Sequence, residues 1–209
     1  MKKYFLFNHW FYKSIKRKNE KTKKISIAGV SPKYGVTHLS LCIANFLSSA
    51  LKKSVLYIEL SNESQLLGLV GLHTTTVCDI TCYKLKDVTY ALACDVSTAT
   101  CLLNEWPGYV VVDIHRLTWE NSPVYNQCEK KILIGSTVPW CIAELFDFIN
   151  TLKGAIDMKN ILFLRKNKSI YEINEKSIYI KLNQLPLPEI DNPFSLKESD
   201  FESLFQLIE

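Results

Sequence analysis

The sequence predicts an α/β protein whose mostly parallel sheet is covered by helices on both faces. Two observations carry that class. Short, continuous apolar runs rich in β-branched residues recur along the chain, as strands buried on both faces require. Segments of helical period stand between most of them, and strands that alternate with helices pair in parallel.

The elements follow in order. Strands are expected at "ISIAGV" (25–30), "SVLYIEL" (54–60), "GYVVVDI" (108–114), "KILIGS" (131–136), "NILFLR" (160–165) and "SIYIKL" (177–182). After the first strand, "THLSLCIANFLSSALKK" places Leu39, Cys42, Ile43, Phe46, Leu47, Ala50 and Leu51 at spacings of three and four, one apolar stripe of a helix. "PWCIAELFDFINTLKG" opens on a proline and closes on Gly154, the usual asymmetry of helix ends. "SLKESDFESLF" reads as a last amphipathic helix. With 209 residues, 47% of them hydrophobic, the chain suits one well-buried domain, taken as 25–209.

Charge is unevenly placed. Residues 1–24 hold nine Lys/Arg against Glu20 alone, a net +8, so the overall +4 leaves about −4 for the remainder. This tail also carries Tyr4, Phe5, Leu6, Phe7, Trp10, Phe11 and Tyr12. Asn8 and His9 interrupt any signal-peptide core, and the apolar run is too short to span a bilayer. Three readings stand: a tether to an anionic membrane surface, a docking segment for an acidic partner, and a solvated leader. Because the basic residues gather in one tail, nucleic-acid binding is not expected.

Seven cysteines without a secretory signal point to a reducing, cytoplasmic setting, and the odd count argues against a disulfide framework. Cys42 and Cys141 read as small core residues. Cys78 and Cys82, with His73 upstream, lack the spacing of a zinc knuckle and any answering pair, so no metal is expected there.

The functional question lies at "GVSPKYGVTHL". A strand, a glycine-bearing turn, Gly-x-Thr and a helix have the rhythm of a phosphate-binding loop, yet Val36 stands directly after Gly35, where such a loop carries lysine. With an acidic residue closing the second strand and "YVVVD" some fifty residues on, the chain resembles the ParA/MinD (CobQ/CobB/MinD/ParA) group of P-loop ATPases over about residues 24–165. The family's loop reads roughly K-G-G-x-G-K-[ST]-[ST]. The resemblance places Gly35 on its last glycine, Val36 on the Walker lysine, Thr37 on the magnesium-binding Ser/Thr, and Ser31 on the extra signature lysine. Val30 falls on the first glycine, with Gly29 one place early, and Pro32 and Lys33 occupy the paired glycines. Glu59 and Ser61 fall on the two switch aspartates, Asp113 ends the Walker B strand ahead of Ile114 and His115, and Leu164 stands where an adenine-reading asparagine is common.

Shape-bearing positions are kept, then, and most charge-bearing ones are not. A hydrogen bond to a charged group contributes roughly 1.5–3 kcal/mol, so losing two phosphate-facing lysines removes about 3–6 kcal/mol, or about a hundred- to ten-thousand-fold in affinity. Neither Lys33, in a loop where Pro32 deletes an N–H, nor His38, mostly neutral at pH 7, restores a preplaced charge. Thr37 and Asp113 could hold magnesium only if a phosphate arrived; as structural residues, Thr37 would simply begin the helix and Asp113 would cap a neighbouring turn.

What the resemblance implies is a pseudo-ATPase: a non-catalytic scaffold that positions an unnamed protein partner, at the inner face of the membrane if the tail tethers it, with homodimerisation open. Cofactors are not expected in that reading. The alternative is an atypical ATP- and magnesium-binding switch with weak hydrolysis. Atypical ParA-like proteins of bacterial pilus assembly are a precedent for the first reading, and partitioning is another setting for the second.

Overall fold

The computed structural model describes residues 23–71, 73–167 and 183–209. The strand expected at 177–182 and residues 1–22 of the tail lie outside the described residues.

Among the described residues nine strands form one sheet. Chain order is β1 (Lys24–Gly29), α1 (Val36–Asn45), β2 (Val55–Leu60), α2 (Leu67–Val70), β3 (Thr74–Val77), β4 (Ile80–Leu85) and β5 (Val88–Cys94). Then come α3 (Val96–Glu105), β6 (Tyr109–Ile114), α4 (Ser122–Gln127), β7 (Lys130–Gly135), α5 (Ile142–Thr151), β8 (Ile161–Arg165), β9 (Asn183–Pro186) and α6 (Glu198–Ile208). Across the sheet the strands run β3-β4-β5-β2-β6-β1-β7-β8-β9. From β5 to β9 every neighbour is parallel; only β3-β4 and β4-β5 are antiparallel.

Side-chain alternation along each strand sorts the core into two layers. Ile25, Ile27, Tyr57, Val111 and Ile134 pack under α1 and α6. Ala28, Ile58, Val110, Val112 and Phe163 pack under α3, α4 and α5. Both faces are covered, so these strands read as unbroken apolar runs.

The first helix differs from the continuous stretch expected over 37–53: after Asn45 it widens into a π-helical turn, Phe46–Ala50. Three strands (β3, β4 and β5) and three helices (α2, α3 and α4) between 61 and 130 were not assigned from the sequence. The hairpin turns there carry no glycine, because Cys78, Asp79 and Lys86 themselves take φ of 51°, 63° and 53°. α3 starts from Asp95, whose side chain accepts the Thr98 N–H at 2.7 Å, but its first turns are β-branched and polar. Cys42 is buried as expected, whereas Cys141 is only half-buried, in the 3-10 turn Pro139–Cys141 ahead of α5. Among the described residues no helix is long and apolar enough to cross a membrane.

Candidate functional site

The loop joining β1 to α1 emerges at the carboxyl end of a central strand, the usual crevice of an open parallel sheet. Two backbone bonds hold its start: Val30 N–H to Ile134 O at 2.9 Å and Leu117 N–H to Gly29 O at 3.1 Å. Gly29 is needed for this close approach, since a Cβ there would meet Ser31 O at 2.8 Å, His115 O at 3.0 Å and Val36 Cγ2 at 3.1 Å. Gly35, the N-cap of α1, takes φ 89°, a left-handed conformation that glycine alone adopts without cost.

Val36 is turned inward. It is 4% exposed and its Cγ2 lies over Gly29 as part of the layer beneath α1. Ser31 donates its hydroxyl to Glu144 Oε1, and Tyr34 donates to Glu144 Oε2 at 3.0 Å, so an α5 carboxylate fastens the loop. That carboxylate and local desolvation hold the Tyr34 phenol well above its ordinary range, desolvation being the larger cause. Lys33 is exposed at φ 63°; its carbonyl accepts from Lys166 Nζ at 3.2 Å, and the same ammonium stands 5.1 Å over the Tyr34 ring. His38, exposed on α1, has Nε2 2.7 Å from Ile190 O, which turns it to the segment after β9. Thr37 is half-buried on the first turn of α1, a helix packed against β6.

Beneath the loop lie two fully buried carboxylates. Glu59 and Asp113 are register partners on β2 and β6, so their side chains share one face. Glu59 Oε1 accepts the Gln65 N–H at 3.0 Å. Asp113 Oδ2 accepts the Tyr57 hydroxyl at 2.7 Å and stands 3.4 Å from His115 Nε2, an ion-pair distance looser than a hydrogen bond. Glu59 Oε2 and Asp113 Oδ1 are buried without a partner among the described residues. Rather than capping a turn, then, Asp113 is held within the sheet by a tyrosine two residues from Glu59 and a histidine two residues beyond itself. Burial first, and Asp113 second, push the Tyr57 phenol far up, so it remains a neutral donor. Tyr90, whose ring centroid is 5.3 Å from that of Tyr57, is pushed up to about 12 by burial.

Contact with Asp113 raises the His115 pKa from 6.5 against the lowering effect of burial. The sign is that of a cation gaining a partner: the pair stabilises the fold below 6.5 and is lost as pH rises through the raised folded value. With the His115 side chain 27% exposed, the effect should be about 1 kcal/mol or less. His115→Gln is therefore expected to lower chemical-denaturation stability below pH 6.5 and to match the parent chain in alkaline buffer.

Similarity of structure identifies the fold. A plasmid partition protein from Borrelia burgdorferi superposes with TM-score 0.60 at 12% identity, over 90% of this chain and 98% of that one. A ParA family ATPase from Chlorobium tepidum gives 0.59 at 12%, over 80% and 84%. The fold is of the ParA/MinD type. The septum site-determining protein MinD from Pyrococcus horikoshii, a complex with Mg-ADP, gives 0.54 at 14%, over 79% and 82%. No protein-family model and no curated protein matches the sequence.

Within the ParA/MinD-type fold, Lys33 and Gly35 lie in the β1–α1 connection, Thr37 and His38 on the first turn of α1 with His38 Nε2 close to Ile190 O, and Glu59 and Asp113 side by side on β2 and β6. Sequence reasoning missed Tyr34, Tyr57, Glu144 and Lys166. Tyr57 was within reach, because its spacing of two from Glu59 puts both on one strand face. Glu144 and Lys166 lie more than a hundred residues from the loop they touch, and no local pattern announces such a contact.

Proposed function

We propose that this chain is a ParA/MinD-type pseudo-ATPase: a non-catalytic scaffold that positions a protein partner, held at an anionic membrane surface by residues 1–24. The single observation that carries the reading is the buried Val36 side chain packed over Gly29, at the position where the resemblance calls for a lysine that reaches phosphate. Three further features support it. Ser31, at the second lysine position, is engaged by Glu144. Glu144, Glu59 and Asp113 all add negative charge near a loop that would have to receive a polyanion. Lys33, at a glycine position, stands exposed. The orphan oxygens of Glu59 and Asp113 suit a cation, but the residues present do not fit a nucleotide triphosphate. A homodimer is compatible with this reading.

One observation favours the alternative, an atypical ATP- and magnesium-binding switch with weak hydrolysis: Lys166 brings a fixed cation to the Lys33 carbonyl. In that reading Lys166 takes over part of the missing charge, Thr37 and Asp113 hold magnesium, and Gly35, Lys33, His38 and Glu59 line the nucleotide. Phosphate release separates the two. A scaffold should release phosphate from ATP no faster than buffer does, and Lys166→Ala should leave that baseline unchanged. Turnover above baseline that Lys166→Ala abolishes would establish the switch instead.

A further inference from the structure

The sheet ends at β3 with an open edge. Among the described residues β3 pairs with β4 alone, and its other side faces outward. The hairpin register fixes which backbone groups lie on that side. Val77 and Ile80 flank the two-residue turn as the hydrogen-bonded pair that closes it, and at the far end Lys84 N–H reaches His73 O at 2.8 Å, so His73, Thr75 and Val77 turn their backbone groups to β4. Thr74 and Thr76, which alternate with them, point N–H and C=O away from the sheet, and both residues are exposed. Natural sheets blunt such an edge with lysine, proline or a bulge, and Thr74–Val77 carries none of these. Beside the edge, α2 packs against β4, with Leu66 and Val70 buried on the side of Tyr83 and Leu85 and with Leu67 and Leu69 left exposed. Apolar surface next to unpaired strand groups is what an interaction site presents.

We propose that β3 is a self-association surface, on which a second copy of this chain lays its own β3 antiparallel and continues the sheet across a two-fold axis. The strand is complementary to itself in that arrangement. With Thr75 of each copy opposite the other on the axis, Thr74 faces the copy's Thr76 and Thr76 faces the copy's Thr74, and each of these pairs exchanges two N–H to C=O bonds. All the outward groups of Thr74 and Thr76 are then satisfied, and the facing side chains are threonine pairs, which are favourable across strands. The axis stands perpendicular to the sheet, so α2 of both copies lies on one face and the exposed leucines fall on the same side of the seam. Antiparallel order also sets the Asp79 end of one hairpin beside the His73 end of the other, an exposed carboxylate toward an exposed imidazole. Four strands stand between β3 and β1, a separation of about 24 Å at the usual strand spacing. The pairing therefore needs neither nucleotide nor the β1–α1 crevice, and it holds independently of the pseudo-ATPase reading.

The test is sedimentation equilibrium of the full chain without nucleotide, where a concentration-dependent dimer is expected. Thr76→Pro removes an outward N–H that β4 does not use, so it should weaken association by about ten-fold or more while the circular dichroism stays that of the parent. If the proline variant does not fold, Thr74→Lys combined with Thr76→Lys makes the same test, because it sets like charges opposite each other in both pairs and leaves the bonds to β4 alone. Register has its own readout. Oxidised Thr75→Cys should give an intermolecular disulfide through position 75 of both copies, mapped after digestion without reductant, and Thr74→Cys should give none through position 74. A chain that stays monomeric at every concentration, its edge left to an extended segment of another protein, would overturn the proposal. So would a dimer that forms only with ATP and magnesium, or one that the edge variants leave intact.

Discussion

Replacing Val36 by lysine should tighten the binding of ATP with magnesium by about ten- to a hundred-fold, measured by calorimetry. The figure follows from one charge-assisted hydrogen bond, roughly 1.5–3 kcal/mol. The substitution has a cost, because Val36 is 4% exposed and removing an aliphatic side chain of that size from the core gives up about 1.5–3 kcal/mol. Binding should therefore be compared below the melting range of the variant. Val36→Met separates the contributions, since it changes volume without adding charge and should leave affinity where it was. Tightening by lysine alone would mean that Thr37 and Asp113 still stand where magnesium needs them. If lysine brings no gain in a folded variant, the crevice itself has closed, with Glu144 fastening Ser31 and Tyr34 across it as the structural cause.

The second large effect is expected at the amino terminus. Each basic residue near an anionic surface contributes about 1 kcal/mol, and aromatic rings inserted at the interface add about 25 cal/mol for each Å² of apolar area removed from water. Nine Lys/Arg and a cluster of aromatic residues are enough for transient adhesion without a lipid anchor, while the remainder, near −4, is repelled. Full-length protein should co-sediment with phosphatidylserine-containing vesicles at low salt and detach as salt screens the charges. A chain that begins at Lys23, which keeps the Lys23 bonds to Ile208 and Val110, should stay in the supernatant, with an unchanged thermal midpoint. Equal sedimentation of the two would remove the tether from the proposed function; a lowered midpoint would mean that the aromatic residues of the tail pack on the domain.

How much of this was legible in the sequence depends on where its determinants lie. β1, β2, β6, β7 and β8 were readable because burial on both faces forces continuous apolar runs, and α1 because its apolar residues recur at three and four, although Ser40 and Asn45 are buried with them. β3 to β5 were not: β3 and β4 form the antiparallel edge and leave most of their residues half-buried or exposed, β5 is buried but short and mixes Thr89 and two alanines into its run, and the turns between them place Cys78, Asp79 and Lys86 where glycine would have signalled a hairpin. The site divides in the same way. Gly35, Thr37, Glu59 and Asp113 follow strand and helix ends, which local pattern locates. The contacts that decide the chemistry of the loop, Ser31 and Tyr34 with Glu144 and Lys33 with Lys166, join segments distant in sequence, so only the folded chain reveals them.

The central claim is that a nucleotide-site frame persists here without the charge that binds nucleotide. Calorimetric titration of the full-length chain with ATP in excess magnesium tests it most directly. The account predicts a dissociation constant of about millimolar or weaker, as expected when two charge-assisted contacts are lost from a micromolar site. Saturable micromolar binding would contradict it, and would make Lys166 the first residue to substitute in search of the charge that replaces the lysine absent at Val36.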